Sequence, residues 1–466
     1  MAQFYQQKRT PPSTKTTLQN GEVVALDHQG RGVIRAGQKT YFVAGALPGE
    51  RVDVQLLKPP QAQLLKRHNS VSSRVEPPCA FAQQCGGCDL QHLALAEQRA
   101  HKQATVTALL AKFAGLTELP WQAMLTGAAS GIRARTRLAV RWLPRQQRLA
   151  IGFRAAQSKD IVEITQCMLM TPELQRAFTY LPQLSRFELA KSLGHIELLH
   201  GAPVVVMLRL TQPLSQADHQ GLTEWLAQLP ANTLQLWLHD HDQQRQALHS
   251  GPAQAGTVSY PSASWQAQGW QPQTIPYRPG DFYQANVSLN PALVQQACEW
   301  LAPSAGEQVL ELFAGTGNFT QALLALGARV TAVEGDAQMT RQLQANNSQA
   351  GTQLTTLTAD LSQTDGLAQL IADSAASALL LDPARAGARE VALALQARVE
   401  RARKTKRAPA IARILYVSCA PDTFARDAQI LASAGYQIVK LGLVDMFPHT
   451  HHIETMALFE FTPANR

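Results

Sequence analysis

From about residue 281 to its end, the chain alternates short apolar segments with helical ones. The apolar segments read as strands, and they include QVLELF, RVTAVE, TQLTTLTA, SALLLD, ARILYVS and ETMALFEF. Such alternation is typical of a doubly wound, Rossmann-like α/β sheet, in which ligands bind at the carboxyl ends of the strands. We therefore predict an α/β domain over residues 271–466, with a ligand site at that edge.

A glycine loop follows the first of these strands and opens a helix, in the segment ELFAGTGNFT. Gly315 and Gly317 allow a tight turn and close approach of a ligand, but the third glycine of a dinucleotide fingerprint is missing. Glu334 ends the next strand, 23 residues after Glu311. A carboxylate there can accept both ribose hydroxyls and would repel a 2′-phosphate, which indicates S-adenosylmethionine. The alternative is that Glu334 caps the next helix.

Two further residues end strands of this predicted sheet. Asp382, in LLLDPARAGA, either faces the ligand crevice or caps a helix. Cys419, in YVSCAPDTF, leaves a strand just before a helix that Pro421 begins. Backbone NH groups at a helix N-terminus stabilise a thiolate, so we predict that Cys419 is a nucleophile. A lone cysteine is more often a small buried hydrophobe, and it is the neighbouring cofactor loop that favours catalysis.

Four of the six cysteines form a pattern of their own. Cys79, Cys85 and Cys88 are spaced C-x5-C-x2-C around two glycines, and Cys167 would supply a fourth thiolate. Four thiolates suit either zinc or an iron–sulfur cluster. Zinc sites more often use paired CxxC motifs, so three clustered ligands and one remote ligand favour a [4Fe-4S] cluster.

The length of 466 residues indicates about three domains. Short strands separated by glycines predict a small, five-stranded, OB-like β-barrel over residues 1–75. A mixed α/β central domain follows over residues 76–270. It contains the cysteine site and strands in which arginine and apolar residues alternate.

The N-terminus has no apolar leader, and no segment is long and apolar enough to span a membrane. We expect a cytoplasmic protein without a membrane partner, and a monomer as the default.

The net charge of +8 is concentrated in two regions. Residues 1–74 hold eleven Lys or Arg against four Asp or Glu. The second region has no acidic residue between Glu118 and Asp160 and contains Arg133, Arg135, Arg137, Arg141, Arg145, Arg148 and Arg154. Basic surfaces of this kind predict a polyanionic partner such as RNA, although a solvated face is the alternative.

In these motifs the chain resembles the RNA uracil-C5 methyltransferases that use S-adenosylmethionine. The shared segments, in the family's order, are FYQAN, ELFAGTGNFT, LLLDPARAGA, YVSCAPDTFARD and MFPHTHHIETM. With a TRAM-like barrel and the cysteine pattern, the chain is similar to the bacterial branch that modifies one uridine of 23S ribosomal RNA. The resemblance implies that Cys419 is the nucleophile and Glu454 the base. It also implies cofactor contacts from Gln284, Phe313, Asn318, Glu334, Asp360 and Asp382.

The implied mechanism explains why the chemistry needs a thiolate. Uracil C5 is a weak nucleophile until sulfur adds to C6, and removal of the C5 proton later releases the enzyme. An RNA cytosine-C5 methyltransferase is one rival, but its proline–cysteine signature is absent from LLLDPAR. A second rival is an RNA-binding protein with an inactive methyltransferase domain, because Ala420 stands where the family usually has asparagine.

Overall fold

A computed structural model describes residues 16–240, 245–248, 257–259, 274–276, 278–405 and 411–462. The predicted domain boundary at residues 270 and 271 lies outside these residues. The chain forms two compact units. One comprises Met1–Pro78, Cys88–His101 and His449–His451, and the other comprises Cys79–Gly87, Lys102–Pro448 and His452–Arg466.

The first unit contains a six-stranded sheet, one strand more than the sequence predicted. Its strands are β1 Thr17–Glu22, β2 Ala25–Leu26, β3 Gly32–Ala36, β4 Lys39–Val43, β5 Arg51–Leu56 and β6 Gln61–Arg67. Their order is β1-β5-β6-β4-β3-β2, and only the β4–β6 pair is parallel. Ile34, Val43, Val52 and Val54 lie in its buried core. Most side chains of β6 are exposed, so this strand lacks the clear apolar alternation of a half-buried strand.

Helix α1, Leu95–Leu109, leads into the second unit and ends in a π-helical turn, Leu110–Ala114. A seven-stranded sheet follows in the order β13-β12-β11-β10-β7-β8-β9. Its strands are β7 Arg135–Leu143, β8 Arg148–Arg154, β9 Ile161–Glu163, β10 Leu193–Leu199, β11 Val204–Leu210, β12 Leu234–His239 and β13 Arg245–Ala247. Helices α2 Pro172–Phe178 and α3 Gln216–Gln228 and two short 3₁₀ helices, Leu181–Arg186 and Glu188–Ser192, accompany the sheet. Strands β14 Thr257–Ser259 and β15 Thr274–Pro276 pair with each other.

The second large sheet of this unit confirms the predicted doubly wound domain. Its order is β18-β17-β16-β19-β20-β22-β21. The five strands from β18 to β20 in this order are parallel to one another, and β22 runs antiparallel to both of its neighbours, β20 and β21. The strands are β16 Gln308–Leu312, β17 Arg329–Glu334, β18 Leu354–Thr358, β19 Ala378–Leu381, β20 Arg413–Ser418, β21 Tyr436–Val444 and β22 Glu454–Phe461. The helices are α4 Asn290–Leu301, α5 Thr320–Ala325, α6 Ala337–Asn346, α7 Thr364–Asp373, α8 Arg389–Lys404 and α9 Pro421–Ala434, with a 3₁₀ segment Ser348–Gln353.

Two apolar layers cover this sheet, one on each face. Strands β16, β19 and β20 in the middle of the sheet are almost fully buried, as expected where helices cover both faces. The strand order reverses between β16 and β19, which places a crevice at their carboxyl ends. Among the described residues, no helix combines the length and apolarity that crossing a membrane requires.

Candidate active site

Reactive and polar side chains gather at one edge of the carboxyl-terminal sheet. Strands β16, β17, β19 and β20 end there, and the antiparallel strand β22 begins there. The predicted residues at or just beyond these strand ends are Phe313, Glu334, Asp382, Cys419 and Glu454. The structure therefore brings the predicted nucleophile, base and three cofactor residues to the same edge, where α/β sheets bind ligands.

The register of two strands sets the predicted nucleophile beside the predicted base. Ser418, the last residue of β20, lies opposite Thr455 in the antiparallel pair with β22. One step further along this register, Cys419 and Glu454 are neighbours. Cys419 is half-buried, whereas Glu454 is only 3% exposed. Helix α9 begins at Pro421, so the predicted strand–turn–helix around the cysteine is confirmed.

Burial and nearby acids oppose the stabilisation that the helix N-terminus was predicted to give the Cys419 thiolate. Burial raises the pKa of the Cys419 thiol to about 11, and the carboxylates of Glu454 and Asp382 raise it further. The positive charge of Arg385 acts in the opposite direction but does not outweigh them. The sequence could not show this balance because both acids reach the thiol from other strands.

Three carboxyl groups make the site acidic: Glu311, Asp382 and Glu454. Burial raises the pKa of Asp382 to about 7, although a hydrogen bond from Gln284 opposes the shift. Burial, and next the charge of Asp382, raise the pKa of Glu454 well above its usual value. Burial likewise raises the pKa of Glu311 to about 8. A cationic ligand would favour the ionised forms of all three groups, so the site is electrostatically suited to one.

Gln284 is fixed against the acidic group by a segment from the central sheet. Its Nε2 donates to Asp382 Oδ2 at 3.4 Å, and its side chain is buried. The Ala134 backbone NH donates to the Ala285 carbonyl at 2.9 Å, and the Tyr283 hydroxyl donates to the Ala134 carbonyl at 2.9 Å. The residues just before β7 therefore hold the segment that carries Gln284.

The glycine loop has the backbone that its sequence predicted. Gly315 and Gly317 have φ values of 59° and 103°, and Phe313 is also left-handed at 63°. A bulky residue in that region stores strain, which is found most often at functional sites. The Gly315 NH donates to Glu334 Oε2 at 3.0 Å. Asp336, rather than Glu334, caps helix α6, so the alternative role for Glu334 is wrong.

Asn318 and Asp360 have different settings. Asn318 exchanges two amide hydrogen bonds with the buried Asn290, at 2.9 and 3.2 Å, which fixes its orientation. Asp360 is exposed beyond the end of β18 and accepts hydrogen bonds from the Ser362 NH and hydroxyl and from Gln363. These bonds lower the pKa of Asp360.

Ala420 occupies the N-cap of helix α9, and it gives that helix no side-chain cap. Asparagine is among the best capping residues, so the departure from the family pattern removes a helix cap. Ser418 compensates in part, because its hydroxyl accepts from the Ala420 NH at 3.3 Å. Thr423 also donates to the Ala420 carbonyl at 3.1 Å.

Two residues at this edge, and a third that precedes Gln284 in the chain, were not predicted as site residues. Glu311 is 1% exposed and accepts a 2.6 Å hydrogen bond from Thr320; its signal is a carboxylate inside an otherwise apolar strand. Arg385 is exposed and favours the thiolate of Cys419. Phe282 exposes 60% of its surface two residues before Gln284, and a single sequence gives no sign of that exposure.

The arginines of the central sheet are partly neutralised. Arg135 and Arg137 both contact Glu197, at 3.0 and 2.6 Å. Burial alone would raise the pKa of Glu197, but His195 and the two guanidinium groups hold it at about 2. Arg148 pairs with Glu163. The carboxylates of Glu197 and Glu163 therefore engage three of the seven arginines of this region.

The three cysteines of the C-x5-C-x2-C pattern and Cys167 lie outside the named helices and strands, and Cys167 also packs against an apolar cluster. Cys79, Cys85, Cys88 and Cys167 are all partly exposed. Burial raises the pKa of Cys85, and the nearby Cys167 and Cys79 add to this. Within the described parts of the chain, no three His, Cys, Asp or Glu side chains are grouped so that they could hold a metal ion. Cys88 belongs to the first unit, and the other three belong to the second.

Two glycines in the loop around these cysteines have close neighbours. A Cβ on Gly86 would lie 3.0 Å from the backbone of Ala156, and one on Gly87 would lie 3.4 Å from the sulfur of Cys85. The Gly86 NH donates to the Arg154 carbonyl at 2.9 Å, which anchors the loop to the end of β8. Side chains at these two positions would crowd the space beside the Cys85 thiol.

Comparison with known proteins gives concordant matches. Residues 271–461 match the model of the tRNA (uracil-5-)-methyltransferase family. The chain is 40% identical to a 23S rRNA (uracil(1939)-C(5))-methyltransferase RlmD of Pseudomonas aeruginosa, over 93% of this chain and 92% of that protein. It is 38% identical to the RlmD of Shewanella piezotolerans, over 99% of both chains.

A solved structure has the same fold over most of the chain. It is the Pyrococcus abyssi tRNA (uracil-54, C5)-methyltransferase in complex with S-adenosyl-L-homocysteine. The TM-score is 0.66 at 21% identity, and the match covers 94% of this chain and 100% of that one.

Proposed function

Because the chain belongs to the family of 23S rRNA (uracil-C5)-methyltransferases, we propose that it transfers a methyl group from S-adenosylmethionine to C5 of one uridine in 23S ribosomal RNA. The observation that carries the proposal is the register of β20 and β22, which sets Cys419 beside Glu454. Both residues stand at the sheet edge where the glycine loop offers a cofactor site.

Cys419 begins the reaction by adding its sulfur, as the thiolate, to C6 of the uracil. This addition places negative charge at C5 and O4, and C5 then accepts the methyl group that S-adenosylmethionine supplies. Glu454 takes the C5 proton as a carboxylate. The electron pair of that C–H bond restores the C5–C6 double bond, the C6–S bond breaks, and Cys419 leaves as a thiolate.

Residues of the glycine loop and of neighbouring strand ends would hold the cofactor. Gly315 and Gly317 leave room for it, and Glu334 would accept the ribose hydroxyls. Asn318, Phe313, Gln284, Asp360 and Asp382 complete the proposed set. The enclosed carboxyl groups favour a ligand that carries positive charge on its amino group and sulfonium. Such a charge would also lower the pKa of Cys419 towards the thiolate.

The target uridine must leave any base stack to reach Cys419. Phe282 presents an exposed aromatic ring just before Gln284, and aromatic rings of this kind stack on unpaired RNA bases. The exposed arginines of the central sheet and the basic residues of the first unit would contact flanking phosphates. We assign the first unit's β-sheet to a TRAM-like RNA-binding domain on its small size, its strand pattern and its positive charge.

We also propose that Cys79, Cys85, Cys88 and Cys167 bind a [4Fe-4S] cluster. Cys79 and Cys167 are close enough to Cys85 to raise its pKa, and Cys88 follows it by three residues. Thiolates are the usual ligands of iron–sulfur clusters, and the two glycines keep the space beside Cys85 open. When bound, the cluster would stabilise the loops that carry the four cysteines.

The direct test uses 23S ribosomal RNA from cells that lack this protein, incubated with the purified enzyme and labelled cofactor. We expect one 5-methyluridine, located by mass spectrometry of nuclease fragments, and none with the Cys419→Ala variant. RNA binding without methyl transfer would support a binding protein instead. Formation of 5-methylcytidine would support a cytosine methyltransferase.

A further inference from the structure

A buried ion pair lies in the second unit outside the proposed reacting groups. Lys102, on helix α1, places its Nζ 2.9 Å from Asp445 Oδ1, and each residue is only 3% exposed. A buried ion pair contributes little net stability compared with apolar residues of the same volume. Its location in the fold therefore calls for another explanation.

Asp445 is the first residue of the loop that leads to the proposed base. This loop connects β21 to β22, and Glu454 is the first residue of β22. Val444, the last residue of β21, lies directly opposite Glu454 in the antiparallel register. Displacement of the start of the loop would therefore move the residue that pairs with the base.

Several polar groups from distant parts of the chain hold the start of this loop. Lys102 Nζ also donates to the Phe447 carbonyl at 2.8 Å, so one ammonium group contacts two loop residues. Asn286 Nδ2 donates to the Met446 carbonyl between them at 3.3 Å. Residues 445, 446 and 447 are therefore each fixed by a side chain from outside the loop.

Apolar packing joins helix α1 to both ends of the same loop. Val106 lies one helical turn after Lys102 and is fully buried. It shares an apolar cluster with Leu443, just before the loop, and with Ile453, the residue before Glu454. Besides this packing, two residues of the helix make polar contacts with the loop: Lys102, and Gln98, whose Oε1 accepts a hydrogen bond from the His449 NH at 2.8 Å.

We propose that Lys102 is a positioning residue for proton abstraction, because its contacts with Asp445 and Phe447 fix the loop that presents Glu454. The inference rests on the proposed function. Lys102 would act only in the second half of the reaction, in which the C5 proton is removed. The bond from Cys419 to the uracil and the methyl transfer precede the step that needs Glu454.

The test is a single-turnover reaction with labelled cofactor and target RNA, using Lys102→Met and, as a matched control, Lys112→Met. Lys112 is exposed just after the same helix. Two rates are measured: methyl incorporation into RNA, and decay of the covalent enzyme–RNA adduct on denaturing gels. We expect Lys102→Met to keep methyl incorporation within about threefold and to slow adduct decay by roughly tenfold or more. Lys112→Met should match the wild type in both.

A second variant, Lys102→Met with Asp445→Leu, removes both buried charges and so avoids the instability of an unpaired one. Adduct decay should also be slow in this variant, because it too lacks the Lys102 ammonium group that donates to the Phe447 carbonyl. Equal slowing of both rates, or no effect on adduct decay, in a folded variant overturns the inference alone. Absence of 5-methyluridine and of any adduct with the wild-type enzyme would instead overturn the proposed function.

Discussion

Glu454→Gln should change the two halves of the reaction in opposite directions. The carboxylate of Glu454 is one of three causes that raise the thiol pKa of Cys419 from 9.0 to about 11. Glutamine has the same shape without the charge, so the thiol pKa should fall. Glutamine also cannot accept the C5 proton, so turnover should fall although the thiol becomes more reactive.

The magnitudes follow from these two roles. Burial is the largest cause of the shift and the charge of Glu454 the next, so we expect alkylation of Cys419 at fixed pH to rise by roughly threefold to tenfold. A general base contributes roughly 10²- to 10⁴-fold, so multiple turnover should fall by about that factor. Methylated RNA should remain bonded to the enzyme.

The assay measures iodoacetamide labelling of the Cys419 peptide by mass spectrometry in protein free of RNA and cofactor, between pH 7 and 9. The two proteins are compared at the upper end of this range, because the raised pKa of Glu454 leaves less of its carboxyl group ionised at the lower end. Glu460→Gln is the matched control, because Glu460 is an exposed carboxylate on the same strand. Cys298 provides an internal reference, since it is 1% exposed and should stay unlabelled. Unchanged or slower labelling of Cys419 in a folded Glu454→Gln protein would refute the electrostatic argument.

Three further predictions concern pH, helix capping and the cysteines. The pKa of Cys419 is raised to about 11, and the thiolate is the form that reacts with iodoacetamide. Labelling of Cys419 in the free enzyme should therefore rise about tenfold per pH unit between pH 7 and 9. A flat profile would contradict the raised pKa of this thiol. Ala420→Asn adds a capping side chain to α9 and should stabilise the unfolding transition that includes the helix by about 1 kcal/mol, measured by denaturant titration; a loss of stability would show that the site cannot accept the side chain. Protein purified without air should be brown with iron and sulfide, and Cys85→Ala should lose both while Cys298→Ala keeps them; colourless protein with one zinc per chain would contradict the cluster.

The strand segments of the carboxyl-terminal sheet and the position of the nucleophile after one of them could be predicted from the sequence, because both depend on local patterns. The apolar segments before Glu334, Asp382 and Cys419 are all strands. The first strand ends at Glu334 itself, and the other two end one residue before Asp382 and Cys419. The glycine loop also has the backbone that its spacing indicates. In each case the residues that determine the structure are neighbours in the chain.

The protonation of Cys419 could not be predicted, because it depends on residues brought together from distant positions. The helix N-terminus is local and favours a thiolate, but Glu454 and Asp382 reach the thiol across the sheet and act against it. For the same reason, the pairing of Arg135 and Arg137 with Glu197 was not visible in a count of charges.

The central claim is that the sulfur of Cys419 bonds to C6 of the target uracil. The most direct measurement uses target RNA in which that uridine is replaced by 5-fluorouridine, which has no C5 proton for Glu454 to remove. With cofactor present, we predict a stable, methylated enzyme–RNA adduct that mass spectrometry maps to the peptide carrying Cys419. An adduct at another residue, or no adduct with enzyme that methylates the natural RNA, would contradict the claim.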